Sequence, residues 1–462
     1  MNLDKKVIET QLNCPENRNF QDFNYKVVVL DDDPTGTQTV KDLNVYTTWQ
    51  KEYIEDGFDA DHNMFFIMTN SRALSEAETK AVHEKIIQTV ERVSSEKGIP
   101  FIIISRGDST LRGHYYYEPK VIHENSPEGF DAVFYIPAFF EGGRYTYEGI
   151  HYLEENDEFI PVSESEFSND STFGFNSKHL QDYIEEKSDG EVRSENVVHI
   201  TLDMIRSCDT HALIKIFDGL NAFDQVIVDA VNNRDMEFFA GVMMEYLKSH
   251  NKKFIFRTAA SFVRAICQTP GEILAREEII QPDNENGGII VVGSHVDKTT
   301  KQLKHLMEHS DIHEIEFSVQ KVIEESQLTE YVNTLRDEVS KLISGGKDVV
   351  VYTSRGLIRT EDKEESLRIS KSISDSLVQI VSTLDVKPGF IIAKGGITSS
   401  DVATEGIKVK KAYVLGQAEK GIPVWETNED AKYPHIPYIV FPGNVGEDHT
   451  LYDVYKKISH EE

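Results

Sequence analysis

Three adjacent carboxylates, Asp31, Asp32 and Asp33, follow the apolar run Val27–Leu30 without a break and lead into Pro34-Thr35-Gly36. Such a run predicts a buried strand, and the Pro-Thr-Gly step predicts a turn. Carboxylates packed side by side repel one another, which drives their proton affinities apart. The residue types suit a general base or a metal anchor, and equally a helix N-cap beside a solvated turn acid. Four arginines stand at similar places. Arg72 follows the run Met64–Met68, Arg106 and Arg112 flank Asp108-Ser109-Thr110 after Phe101–Ile104, and Arg144 follows Asp131–Ile136. A guanidinium offers a planar fork that matches carboxylate or phosphate with two parallel hydrogen bonds. Asp108, Ser109 and Thr110 add donors and acceptors suited to a polyhydroxylated ligand. The plainer reading is that the arginines pair with local aspartates and that Asp108 caps a helix.

The second half of the chain carries glycines instead. Gly293-Ser294, Gly395-Gly396-Ile397-Thr398-Ser399 and Gly443-Asn444-Val445-Gly446 each follow an apolar run. Glycine lets phosphate approach the backbone, and a helix starting at such a turn presents free N–H groups. None of the three is GxxxxGK[ST] or GxGxxG. Singly they are ordinary turns; three in one half favour a nucleotide site. His305, His309 and His313 recur at spacing four, a metal-site pattern on a helix face. Their surroundings, HLMEHSDIHE, read as a solvated helix end and not as a metal centre.

These residues need elements to hold them. Strand, polar turn and helix alternate seven times between residues 26 and 260, and the plan resumes with strands near 289–292, 314–317, 348–352, 389–393 and 438–441. That alternation predicts α/β architecture with mainly parallel, doubly wound sheets. The polar residues gather after the strands, which places them at one edge of each sheet. A helix is expected from Ser75, where Ser-Glu-Ala-Glu resembles a capping box, to about Ser95, and others near Asp297 and over about 364–384. Residues 1–25 read as a short helix or loose arm, and 159–195 as an excursion over the surface. The polar, glycine-ended stretch 281–288 suits a linker, so the expectation is two domains, 1–284 and 285–462, with a cleft between them.

Composition narrows the function classes. The chain has 462 residues, a net charge of −31 and 39% hydrophobic residues. So acidic a chain offers no face to nucleic acid or to an anionic membrane surface. No apolar run approaches the ~20 residues of a membrane span, and the polar first 25 residues do not read as a signal peptide. The three cysteines, Cys14, Cys208 and Cys267, are far apart and form no CxxC, so the reading is a cytoplasmic protein without disulfides or a cysteine-based zinc site. Oligomeric state stays open.

With these motifs in their order, the chain resembles the four-carbon acid sugar kinases over nearly its whole length after residue 25. Asp32-Asp33-Pro34-Thr35-Gly36, Thr69-Asn70-Ser71-Arg72, Asp108-Ser109-Thr110-Leu111-Arg112-Gly113 and the stretch from Pro137 to Arg144 resemble that family's N-terminal motifs. Gly293-Ser294, Gly395 to Ser399 and Gly443 to Gly446 resemble its C-terminal ones. The resemblance implies an N-terminal domain that binds a sugar acid and a C-terminal domain that binds ATP. It further implies Mg²⁺, with ligands the sequence does not identify, and phosphorylation of acids such as threonate, erythronate or 3-oxo-tetronate. On this reading Asp32 or Asp33 is the base. Arg72, Arg106, Asp108, Ser109, Thr110, Arg112 and Arg144 hold the acid. Ser294, Gly395, Gly396, Thr398, Ser399, Gly443, Asn444 and Gly446 hold the nucleotide. Two other classes compete: a hydroxy-acid dehydrogenase, disfavoured by the missing GxGxxG, and a non-catalytic sensor of nucleotide or sugar acid.

Overall fold

The computed structural model describes residues 3–459 apart from 11, 15–22, 268, 281–284, 295, 325–327, 355–362 and 444. Asn444 and the first half of the expected linker therefore lie outside the described residues. The chain divides into two compact units, one of residues 1–40 and 48–270, the other of 41–47 and 271–462.

The first unit is built on seven parallel strands. Across the sheet they run Met64–Met68, Lys26–Asp31, Phe101–Arg106, Phe254–Thr258, Ala132–Ile136, Asp224–Val228 and Val198–Ile200. Helices cover both faces of such a sheet, so its strands are apolar on both sides. Val28, Val29, Phe65, Phe66 and Ile103 are fully buried, each contributing roughly 1.5–3 kcal/mol by leaving water. The helix Glu76–Lys97 starts at Ser75 with the expected capping box to Glu78 and stops at Gly98, whose φ of 64° no β-carbon opposes.

The segment from 144 onward corrects the expected excursion. Arg144–Tyr147, Ile150–Glu155 and Glu158–Pro161 form a separate antiparallel sheet, and Leu180–Lys187 is a helix. Its polar composition hid a few anchors at helical spacing, Leu180, Tyr183 and Ile184, all buried. The cysteine reading is also corrected: Cys14 and Cys208 form a disulfide, with Cα atoms 5.8 Å apart, while Cys267 is buried. A separation of 194 residues carries no information about proximity. Here the N-terminal arm crosses to residues 206–234, where Arg206 donates to the Val7 carbonyl and Asn232 to that of Ile8.

The second unit has five parallel strands, in the order His313–Phe317, Val349–Thr353, Ile289–Val292, Ile391–Lys394, Pro437–Phe441. Three antiparallel strands extend it: Ile422–Thr427, Lys411–Glu419 and Leu43–Tyr46, the last lent from early in the chain. The helix Asp297–His309 places His305 over His309, ring centroids 4.0 Å apart, but His313 begins a strand, so the three histidines do not share a helix face. Among the described residues no helix is long and apolar enough to cross a membrane.

Candidate active site

In an open α/β sheet, ligands settle where the strand order reverses, outside the carboxyl ends of the strands. In the first unit the chain passes from Lys26–Asp31 to Met64–Met68 on one side and then to Phe101–Arg106 on the other. The reversal therefore lies between the ends of Lys26–Asp31 and Phe101–Arg106, where Asp31 to Asp33 and Arg106 to Arg112 stand.

Their side chains form one network. Arg72 grips Asp32 with two nitrogens, Nη2 to Oδ1 at 2.6 Å and Nε to Oδ2 at 3.2 Å, and reaches Asp33 with the third at 3.2 Å. Arg106 Nη1 donates to Asp31 at 3.2 Å and lies 4.0 Å from Asp32. Arg112 donates to Asp108 at 2.8 Å and stacks over Phe167 at 4.9 Å, and Thr110 also donates to Asp108. Asp33 caps the short helix Pro34–Thr39 by accepting from the Thr35 amide at 2.8 Å. Arg144 differs from the other three: it donates to the Gly142 carbonyl, its Nε is buried, and no ion-pair partner stands beside it among the described residues. Ser109 offers its carbonyl to His151 Nε2 at 2.8 Å, and burial holds that imidazole down at about 4, in its neutral form.

The adjacent acids are driven apart electrostatically, each for its own reason. Burial pushes Asp31 up to about 7, with Arg106 pulling against it and Asp32 and Asp33 adding to it. Burial also raises Asp32, against the opposing pull of Arg72 and Arg257. Asp33 is half-buried, but Arg72 and the Thr35 hydrogen bonds outweigh that and hold it below the ordinary carboxylate range. Asp108 lies lower still, because Arg72, Arg112 and Thr110 overcome its burial. Neighbouring carboxylates of unlike proton affinity are what acid–base chemistry requires. Gly36 makes the packing feasible, since a β-carbon there would sit 1.6 Å from Asp31 Oδ2.

Two residues outside the motifs complete the network. Arg257, fully buried, donates through Nη1 to Glu118 and, at 2.7 Å, to Ser105. Glu118 also accepts from Ser71 at 2.6 Å and Ser105 at 2.9 Å, and these partners hold it well below its ordinary value despite burial. The signal in the sequence was an arginine inside an otherwise apolar strand, FIFRT.

In the second unit the strand order reverses between Ile289–Val292 and Ile391–Lys394. The glycine turns meet there. A β-carbon on Gly293 would lie 2.4 Å from Thr398 Oγ1, one on Gly395 3.1 Å from Ser294 Cβ, and one on Gly443 3.4 Å from Ser294 Oγ. Thr299 ties Ser294 (3.3 Å) to the Gly443 carbonyl (3.0 Å). Gly395 has φ +114°, a conformation that excludes a side chain. Gly396 opens the six-residue helix Gly396–Asp401. The Gly446 carbonyl accepts from Lys298 at 3.0 Å. Ser399 is turned inward, its hydroxyl bonded to the Ala393 carbonyl at 2.6 Å. Below the turns Lys394 is fully buried, with Nζ 2.8 Å from the Pro442 carbonyl and over the Phe441 ring; nothing in its sequence context marked it. A cradle of backbone that β-carbons would fill, bordered by serine and threonine hydroxyls, fits polyphosphate. Among the described residues no group of three or more His, Cys, Asp or Glu is placed to hold a metal ion.

Residues 27–266 match the family model described as a sugar-binding N-terminal domain, and residues 289–451 match that of a nucleotide-binding C-terminal domain. The chain belongs to the four-carbon acid sugar kinase family. Solved structures share its fold. A Haemophilus influenzae protein of a domain family of unknown function is 16% identical, with a TM-score of 0.59 over 93% of this chain and 99% of that one. A Salmonella typhimurium LT2 protein provisionally named a tRNA synthase is 14% identical, with a TM-score of 0.65 over 94% of this chain and 100% of that one. No curated protein matches the sequence significantly. Within this acid sugar kinase family, the two switch-point clusters fall one in each matched domain.

Proposed function

We propose that this chain is an ATP-dependent kinase that phosphorylates a hydroxyl of a small four-carbon sugar acid of the threonate, erythronate or 3-oxo-tetronate type. The first unit takes the acid and the second the nucleotide. The observation that carries the reading is that each strand-order reversal holds a different inventory: carboxylates and arginines in one unit, convergent glycine turns in the other. Phosphoryl transfer asks a protein for positioning and charge neutralisation more than for covalent chemistry, and these inventories supply both.

Arg144, whose buried Nε has no hydrogen-bond partner among the described residues, receives the acid's carboxylate. Asp108, Ser109, Thr110 and Arg112 meet its hydroxyls. Asp32, whose proton affinity burial raises, takes the proton from the attacking hydroxyl, while Arg72 and Arg106 hold the acids in place. Asp33 serves as cap and as partner of Arg72. Ser294, Gly395, Gly396, Thr398 and Gly443 line the phosphates of ATP, with Gly446 and Lys298 closing the edge. Mg²⁺ bound with ATP supplies charge that offsets the phosphates.

The test is an ATP-consumption screen over threonate, erythronate, 3-oxo-tetronate and larger aldonates. Turnover with a four-carbon acid is expected. Nucleotide binding without turnover on any acid would favour a sensor, and hydride transfer to NAD or NADP with any of them would overturn the reading.

A further inference from the structure

Arg257 stands apart from the arginines assigned above. It is fully buried with its guanidinium over the Tyr115 ring, and of its nitrogens Nη1 alone is hydrogen-bonded among the described residues, to Glu118 and Ser105. Its Nε and Nη2 are buried and have no hydrogen-bond partner among the described residues. Idle buried donors on a cation are costly, so an arginine whose only task was to neutralise Glu118 would be a poor choice for this place. Two glycines show what the idle edge faces. A β-carbon on Gly107 would lie 2.5 Å from Arg257 Nη2. The point where Gly113 would carry one lies 3.5 Å from Arg257 Nη2 and 3.1 Å from Asp32 Oδ2. Glycine at 113, with φ +108°, thus keeps a side chain out of the point that borders both Arg257 and the Asp32 carboxylate.

We propose that Arg257 and Glu118 are a positioning pair for Asp32, setting the charge state of that carboxylate from inside the fold without touching substrate. The role in turnover rests on the reading of Asp32 as the base; the electrostatic coupling does not. The charged groups facing Asp32 are Arg72, bonded to both oxygens, Arg106 at 4.0 Å, Asp31 and Asp33 on the same turn, and Arg257 with Glu118 behind it. His83 stands 4.0 Å from Glu118, and burial pushes its proton affinity down against the pull of Glu118. The pair's two members act on Asp32 with opposite sign, Arg257 favouring the carboxylate and Glu118 disfavouring it.

Opposite signs make the test decisive. Carboxyl infrared spectra are recorded against pH for the parent and for Arg257→Gln, Glu118→Gln and Arg257→Lys, with Asp32→Asn assigning the Asp32 band. The Asp32 midpoint is expected to move to higher pH in Arg257→Gln and to lower pH in Glu118→Gln, and to return toward the parent in Arg257→Lys. A purely structural pair would shift the midpoint in neither variant, or in the same direction in both, and either result overturns the proposal. Should Arg257→Gln not fold, Glu118→Gln decides alone by its direction, since glutamine keeps partners for Ser71 and Ser105. In turnover with the acid found active, Arg257→Gln is expected to lower kcat roughly tenfold at the acid end of the profile, with KM for the acid little changed. If the infrared shifts appear while Asp32→Asn retains full kcat, the coupling stands and the base assignment fails.

Discussion

Replacing Asp32 and Asp33 separately by asparagine should separate chemistry from architecture. Asp32 is fully buried and both of its oxygens are gripped by Arg72. Asparagine keeps one acceptor but turns an NH₂ toward a guanidinium nitrogen, so one charged hydrogen bond worth about 1.5–3 kcal/mol disappears. Burial, however, disfavours the Asp32 charge, and removing the charge relieves that penalty. The two effects oppose, and the net stability change should be about 1–2 kcal/mol or less, a shift in unfolding midpoint of a few degrees at most for a domain of this size. The effect on chemistry should be far larger. Loss of a general base lowers kcat by roughly 10²–10⁴, or about 3–5 kcal/mol of barrier. Asp33→Asn should behave in the reverse way. Asparagine is as good a cap as aspartate, so the bond to the Thr35 amide survives, and the ion pair with Arg72 that the variant gives up is partly exposed and 3.2 Å long. Its kcat should stay within about tenfold of the parent. The assay is steady-state ATP consumption beside thermal unfolding of the same preparations. Near-normal kcat in Asp32→Asn, or a larger loss in Asp33→Asn, would refute the assignment of the base.

Three further outcomes are expected. Asp31, pushed up to about 7, prefers its neutral form in the fold, so its contribution to stability is fully present below 3.8 and is lost as pH rises through 7. Urea unfolding of Asp31→Asn and the parent should therefore show the variant gaining on the parent by about 2–4 kcal/mol between about pH 4 and about pH 8; a constant difference would contradict the assignment. Gly443→Val should leave the fold intact, because a β-carbon there meets Ser294 Oγ at an ordinary 3.4 Å, yet weaken ATP roughly 10–100-fold in calorimetry by displacing phosphate from the cradle. Arg144→Gln should raise KM for the acid about 10–100-fold with ATP affinity little changed, and an unchanged KM would move the carboxylate site elsewhere.

The twelve parallel strands among the described residues, the capping box at Ser75 and the turns that carry chemistry could be read from residue order, because apolar strand runs and their punctuation are local signals. The antiparallel additions were not legible. Leu43–Tyr46 and Lys411–Glu419 acquire their meaning from each other, across more than 360 residues, and neither shows a run long enough to stand out. The same holds for the Cys14–Cys208 bond.

What the sequence by itself determined was the chemical inventory and its edge: acids, arginines and glycines placed after apolar runs belong at the carboxyl ends of parallel strands, whatever the strand order. What the tertiary structure alone decided was which ends meet. Strand order reverses between Lys26–Asp31 and Phe101–Arg106 and again between Ile289–Val292 and Ile391–Lys394, so Asp31 meets Arg106 and Ser294 meets Gly395 and Gly443. The difference in charge among three consecutive aspartates is tertiary as well. It comes from burial and from arginines 39 to 225 positions away, and a local pattern cannot encode the dielectric or the partner that a side chain finds only after the sheet has closed around it.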